Sequence, residues 1–317
     1  MSEPAAPATP AAPTIPTTPA PLTPAPPTPA AARVGVSDKV DRANRVKQRH
    51  WPVHVALILG AVVMCFPFYW EFITAFKTYA ESRAVPATYW PRDWVNNLSA
   101  VFTSIPILQM AKNSVIITVG RMVGQITLCT MAGYGFARLR FPGRNVLFMC
   151  VLGALMVPWA LFLIPQFEIT VKLGLANHLA GAIIPCLFSS FGIFLMRQFF
   201  LSLPRELEDA AIVDGANTWQ IFWHVMLPLA KPGIIALAVF TALWGWNDLL
   251  WPLIVLGKKE LQPLSVGVAQ LSSDAHFSTN YPQMMAAGLV AMLPMLIVFI
   301  ILQRHFIAGI AFTGSKN

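Results

Sequence analysis

The sequence predicts an all-α integral membrane protein with six transmembrane helices, both termini inside, and a structured cytoplasmic connector between the fourth and fifth spans. Three observations predict it. Of 317 residues, 56% are hydrophobic and only 11% charged, with a mean hydropathy of +0.60, whereas soluble domains run near a quarter charged. Beyond residue 50 the apolar residues gather into six runs, each long enough for a hydrocarbon core of ~30 Å. With the N-terminus inside, fourteen of the 22 lysines and arginines fall on that side, seven on the other, and Arg121 within a span. That is the bias the positive-inside rule expects. It also accounts for the net charge of +8 without nucleic acid, because the cations lie in short connectors rather than on a basic face.

The chain opens on a tail, residues 1–50. Its first 32 residues hold eleven prolines among Ala and Thr, a composition that cannot bury apolar surface and stays extended and disordered. A basic start followed by an apolar run is missing, so it does not read as a signal peptide. A proline-rich ligand for a partner domain is the functional alternative. Residues 33–50 are basic, as a cytoplasmic segment ahead of a first span would be.

The membrane domain follows over residues 51–317. Its spans are expected at Val53–Phe76, Asn113–Ala137, Asn145–Phe167, Leu179–Phe200, Gly233–Leu256 and Met284–Leu302. The third carries Pro158 and Pro165 and the sixth Pro294, tolerated where neighbouring helices satisfy the freed carbonyls. Cys65, Cys129, Cys150 and Cys186 all fall inside apolar segments with no CxxC pair, so they read as small buried residues rather than a disulfide or metal framework.

The connector, Leu203 to Pro232, is not a plain loop. Pro204 with Glu206, Glu208 and Asp209 marks a helix start, the acids favouring the positive end of the dipole. Leu207, Ala210 and Ala211 share one face at helical spacing. Asp214-Gly215 breaks that helix, and Asn217 or Thr218 caps the next. Trp219, Phe222, Trp223 and Met226 form a second apolar stripe before Pro228 and Pro232 reset the chain. Two short helices at a sharp glycine turn make a rigid knob, and small alanines let another surface approach its backbone. A membrane-surface helix would explain the aromatic stripe but not three acids, which anionic lipid repels.

This segment resembles the EAA loop of binding-protein-dependent ABC importer permeases. The residues that carry the likeness are Asp209-Ala210-Ala211, Asp214-Gly215-Ala216, Phe222, Leu227-Pro228-Leu229 and Pro232. Asp209 stands where the family has Glu, keeping the charge with a shorter reach. The carbohydrate-uptake branch, similar to the maltose permease MalG, is matched further by Pro67-Phe68-Tyr69-Trp70, Asn113-Ser114, GYGFARLRFPGR at 133–144, Trp246-Asn247-Asp248 and the C-terminal QRHFIAGIAFTGSKN. The resemblance covers about residues 52–317. It implies a permease subunit of the bacterial inner membrane, paired with a second homologous permease, two ATPase subunits and an extracytoplasmic solute-binding protein, importing a sugar, oligosaccharide or glycerol-phosphate-like solute. In that scheme the knob is a coupling helix, with Glu206, Asp209, Ala210, Ala211, Asp214, Gly215, Ala216, Phe222 and Pro228 meeting the ATPase. ATP and Mg belong to those partners, and this chain is expected to bind no cofactor and catalyse nothing.

The motifs agree. Gly309 to Lys316 lacks the order of a phosphate-binding loop and follows a membrane run rather than a strand; HExxH and GxSxG are missing. Five of the six histidines (54, 178, 224, 276 and 305) show no mutual metal spacing. Intramembrane polar groups are the candidate substrate pathway. Arg121 either snorkels outward or lines the pore. Trp244, Trp246, Asn247 and Asp248 either suit a sugar, with rings for its C–H faces and polar groups for its hydroxyls, or form an aromatic belt. A secondary transporter would carry proton-relay charges and internal repeats, and a non-transporting scaffold would leave the connector unexplained.

Overall fold

Across residues 51–92, 94–273 and 280–314, which the computed structural model describes, every regular element is a helix. The tail 1–50, the middle of the 257–283 loop and the last three residues lie outside the described residues. Among the described residues, three helices are long and apolar enough to cross a membrane: α1 (Trp51–Ala75, with Pro67 inside), α2 (Ile107–Arg138) and, within α9 (Tyr281–Gly314, with Pro294 inside), Tyr281–Ile301. Helix α2 begins six residues ahead of the expected Asn113 and supplies the spine of the body.

The third, fourth and fifth expected spans are not straight. α3 (Arg144–Met156) and the run from Trp159 through α4 (Leu163–Lys172) meet at 101°. Pro158 has no N–H to donate and pushes Val157 into an extended conformation, φ −87° and ψ 124°. Leu179–Cys186 meets α5 (Ser190–Ser202) at 45°, just beyond Pro185. Helix α7 (Lys231–Asn247) stops at Asp248, whose backbone is extended, and a short α8 (Leu250–Val255) completes the segment expected to run straight to Leu256. The helical stretch Thr218–Leu229 enters α7 through a 73° bend. Counting each bent pair as one crossing gives up to six.

Two units result, Met1–Met64 and Cys65–Asn317. The described part of the first is the start of α1, whose large apolar side chains stand exposed nearly all round, as on a helix made for lipid. In the second, one cluster joins Tyr134 of α2, Met196 and Phe200 of α5, Phe222 and Met226 of the connector and Leu237 of α7. Gly133 makes this possible: a Cβ there would stand 2.6 Å from the Met196 Cβ and 2.9 Å from the Arg197 nitrogen. Small residues are what let helices pack this closely in lipid. Towards the other end of α2, Met110, Trp246, Leu264 and Ala287 form a second cluster, and Ile117, Ala182, Trp251 and Val255 a third.

Candidate functional site

The connector starts with α6 (Glu206–Val213), whose first turn holds Glu206, Glu208 and Asp209. It ends in a Schellman motif. The Ala216 amide donates to the Ala211 carbonyl at 2.9 Å and the Gly215 amide to Ile212 at 3.0 Å, with Gly215 left-handed at φ +82°. That closure satisfies the last carbonyls of the helix and favours a residue without a Cβ at the turn. Asn217, one of the two caps the sequence allowed, then opens the next helix with a capping box: its carboxamide and that of Gln220 each accept the other's backbone N–H at 2.9 Å. With two local motifs back to back, the angle between the helices is set by hydrogen bonds within 211–220.

Glu206, Asp209, Ala210, Asp214 and Pro228 are exposed, while Ala211 and Ala216 are half-buried against the core. The expected aromatic stripe is split. Phe222 and Met226 are buried with Tyr134 and Phe200, whereas Trp219 and Trp223 stand exposed, 58% and 45%. The wide π-helical turn Ile221–Met226 sets this division. The knob is thus anchored by one face and presents acids, alanine and two tryptophans on the other.

A residue that composition did not flag holds it in place. Arg138, ending α2, stands with its Nε 3.5 Å from the Glu208 Oε1, both side chains largely buried. Its Nη2 donates to the Phe200 and Leu203 carbonyls, both at 2.6 Å. One guanidinium therefore caps the end of α5 and faces the first turn of α6. Burial pushes the Glu208 carboxyl up from its usual range, more than the charges of Arg138 and Arg205 pull it down.

The intramembrane candidates gather around the break in the fourth span. Arg121 is 4% exposed. Its Nη1 pairs with the Asp248 Oδ2 at 2.7 Å and its Nε donates to the Ala182 carbonyl at 2.9 Å. One and two turns further along α2, Gln125 donates to the Cys186 carbonyl at 2.7 Å and Cys129 lies 3.6 Å from the Ser189 carbonyl. The indole of Trp251 donates to Gly181, four residues before Pro185, at 3.1 Å. Four side chains thus satisfy carbonyls along the bent span, which is what permits an irregular backbone at membrane depth. Asp248 also accepts from the Trp251 amide, and its carbonyl accepts from the Ser265 hydroxyl at 2.7 Å, so α7 ends where Asp248 is drawn aside. Trp246 is buried, its indole donating to the Ala291 carbonyl on α9 at 3.0 Å. Trp244 stacks edge-on with Phe191 and stays half exposed, and Asn247 is exposed, its amide bonded back to Leu243. The structure brings Arg121 and Asp248 together and turns Trp246 away from Trp244. Among the described residues, no group of three His, Cys, Asp or Glu is placed to hold a metal.

The model of the family described as "binding-protein-dependent transport system inner membrane component" matches residues 87–311, which include the connector and the Arg121–Asp248 region. The chain belongs to that family. This transport component is 32% identical over 264 residues to the sn-glycerol-3-phosphate transport system permease protein UgpE of Yersinia pestis bv. Antiqua (strain Antiqua), covering 81% of this chain and 94% of that protein. The UgpE of Escherichia coli O1:K1 / APEC is 31% identical over 277 residues, 84% and 98% of the two chains. Its fold is that of a chain in the crystal structure of a bacterial ABC transporter involved in the import of the acidic polysaccharide alginate, at a TM-score of 0.71 and 24% identity over 86% of this chain and 98% of that one. In the sequence Arg138 and Tyr134 of this transport component lie within the quoted stretch 133–144 with no role of their own, and Gln125 carries no mark at all. The last was open to notice, since Arg121, Gln125 and Cys129 recur every four residues along α2.

Proposed function

We propose that this chain is the permease subunit of an ATP-driven ABC importer for a carbohydrate or glycerol-phosphate-like solute, six-spanning with both termini in the bacterial cytoplasm. Residues 1–50 are its tail and 51–317 its membrane domain. A second homologous permease completes the bundle, two ATPase subunits supply ATP hydrolysis, and an extracytoplasmic solute-binding protein delivers substrate to the outer loops. The single observation that carries the reading is the connector inside the family match: a hydrogen-bonded knob, anchored through Phe222, Met226 and Arg138, with an exposed acidic and small-residue face. Such an element transmits force without absorbing it, so ATPase closure rocks the bundle as a rigid body between states that ligands favour unequally.

Glu206, Asp209, Ala210, Ala211, Asp214, Gly215 and Ala216 form the coupling surface, with Phe222 and Pro228 fixing its return to the membrane. Trp244 and Asn247 are the pathway residues with exposed faces, while Arg121, Asp248 and Trp246 position them. The solute class draws on relatives named for sn-glycerol-3-phosphate and for alginate. The test is to co-express the chain with its neighbouring permease and ATPase genes, reconstitute the product, and add loaded binding protein. ATPase stimulation with solute uptake supports the reading. Solute uptake driven by an ion gradient, with no ATPase retained, overturns it in favour of a secondary transporter, and recovery of neither rejects transport.

A further inference from the structure

Three rings pack together where α5 begins beside α7. Phe191 of α5 meets Phe240 and Trp244 of α7 edge-on, with ring centroids 5.4 and 5.2 Å away, and Phe240 lies 5.8 Å from Trp244. Gly192 lets α5 come in this close, since a Cβ there would stand 3.0 Å from the Cys129 Sγ and 3.1 Å from the Leu237 Cδ1. Phe240, Trp244 and Asn247 follow one another at i, i+4 and i+7, so they share one face of α7. That face is open. Trp244 is 51% exposed, Asn247 is exposed, and Phe191 and Phe240 are half-buried.

The depth of this face limits what it can meet. Thr241 donates to the Gln125 Oε1 at 3.0 Å and Asp248 pairs with Arg121, which sets Trp244 beside the stretch 121–125 of α2. Arg121 lies 14 residues beyond the first residue of that helix and Gln125 13 before the last, about 20 Å from either end at ~1.5 Å per residue. Trp244 therefore stands near the middle of the bilayer, whereas aromatic belts sit at its two surfaces. Its polar atoms do not suit lipid either. The indoles of Trp246 and Trp251 donate to the Ala291 and Gly181 carbonyls, but that of Trp244 has no partner among the described residues. Nor has the Asn247 Oδ1, while the Nδ2 of the same carboxamide is tied to the Leu243 carbonyl at 2.8 Å. An unpaired donor and acceptor at that depth belong against a polar cavity rather than hydrocarbon.

We propose that Phe191, Phe240 and Trp244 form a platform on which the ring of a saccharide stacks midway through its passage, with the Trp244 indole and the Asn247 carboxamide meeting its hydroxyls. Aromatic faces take the C–H side of a sugar ring, and a few placed polar groups fix its orientation. The assignment rests on the permease reading above and narrows its solute class to one with a ring. An acyclic phosphate ester offers the rings no such face. Arg121, the cation at this level, is not free to hold its phosphate: Asp248 and the Ala182 carbonyl engage it, and its remaining amine is sealed within the protein. Phe191 and Phe240 thereby join Trp244 and Asn247 as residues that determine specificity.

The test is saturation-transfer NMR on the co-purified complex in nanodiscs, irradiating aromatic protons and reading the C–H protons of maltose, cellobiose and trehalose, with sn-glycerol-3-phosphate as the ring-free probe. Wild type should pass saturation to at least one of the three saccharides and not to the phosphate ester. Trp244→Leu and Phe240→Leu should bind that saccharide roughly tenfold more weakly, the loss expected of one aromatic contact. Trp244→Phe, which keeps a ring, should recover most of the binding and so separates stacking from misfolding. Transfer to none of the saccharides overturns the platform, as does unchanged saccharide binding by both leucine variants. Loss of the second permease from Trp244→Leu, with saccharide binding unchanged, makes the face a subunit contact instead. Binding is read on this chain whether or not an ATPase is retained. Saccharide bound with no ATPase present rejects the permease reading and keeps the platform, whereas ATP-driven uptake by both leucine variants at an unchanged KM keeps the permease and rejects the platform.

Discussion

The guanidinium of Arg138 lies 3.5 Å from the carboxylate of Glu208 while donating to two carbonyls at the end of α5. Its two partners are unequal. The carbonyls make hydrogen bonds of 2.6 Å, whereas Arg138 Nε and Glu208 Oε1 face each other without one. The attachment of the connector should therefore depend on Arg138 far more than on Glu208. We expect Arg138→Met to cost about 3–5 kcal/mol, since it strands a half-buried acid and two carbonyls. Glu208→Gln should stay within about 1 kcal/mol. Thermal unfolding of the purified complex, with hydrogen exchange over 206–213, separates the two.

The same carboxyl sets a pH dependence. Burial raises its folded-state pKa above the ordinary value of 4.5, so in the window between the unfolded and folded values the folded form binds a proton more readily than the unfolded one. That contribution is complete below about pH 4.5 and is lost as pH rises through the folded value. Hydrogen-exchange protection of α6 should fall across this window in wild type and lose that slope in Glu208→Gln.

Inside the membrane, Arg121 and Asp248 are expected to behave as a unit. Asp248→Leu leaves a buried cation with one amine already unsatisfied and should destabilise by about 3–5 kcal/mol, as should Arg121→Met in part through the freed Ala182 carbonyl. The double variant should recover most of the loss, because a buried pair is often matched by apolar residues of similar volume. A double-mutant cycle on unfolding temperature measures the coupling. Additive losses would mean that the pair is not a unit.

Gly215 offers a purely local test. With φ at +82° and no atom within 4 Å of a built Cβ, Gly215→Ala meets backbone strain and no clash. The expected cost is about 1–2 kcal/mol, and Gly215→Asn should lose less, since Asn tolerates the left-handed region. Unfolding temperatures of the three proteins rank the effect.

What the sequence made legible was what neighbours in the chain decide. Asp214-Gly215 announced a turn and Asn217 or Thr218 a cap, and the structure has a Schellman motif there and a capping box at Asn217. The long apolar runs announced α1, α2 and α9. The bends at Val157-Pro158, beyond Pro185 and at Asp248 were not legible, because a run of apolar residues reads the same straight or bent. What stabilises the bends beyond Pro185 and at Asp248 is a partner distant in sequence, Arg121 for the carbonyl of Ala182 and Ser265 for that of Asp248. Trp219 and Trp223 were grouped with Phe222 and Met226 by helical spacing. Only the π-helical turn and the neighbouring Tyr134 decide which of them are buried.

The most direct measurement of the account is ATP hydrolysis by the reconstituted complex, stimulated by loaded binding protein, in wild type and in Gly215→Pro. Proline cannot adopt the left-handed angle or donate the amide that closes the Schellman turn. The variant should still insert its helices but lose stimulation by binding protein, or lose the ATPase subunits altogether. Full stimulation and uptake by Gly215→Pro would contradict the claim that the connector is the rigid link between ATP hydrolysis and transport.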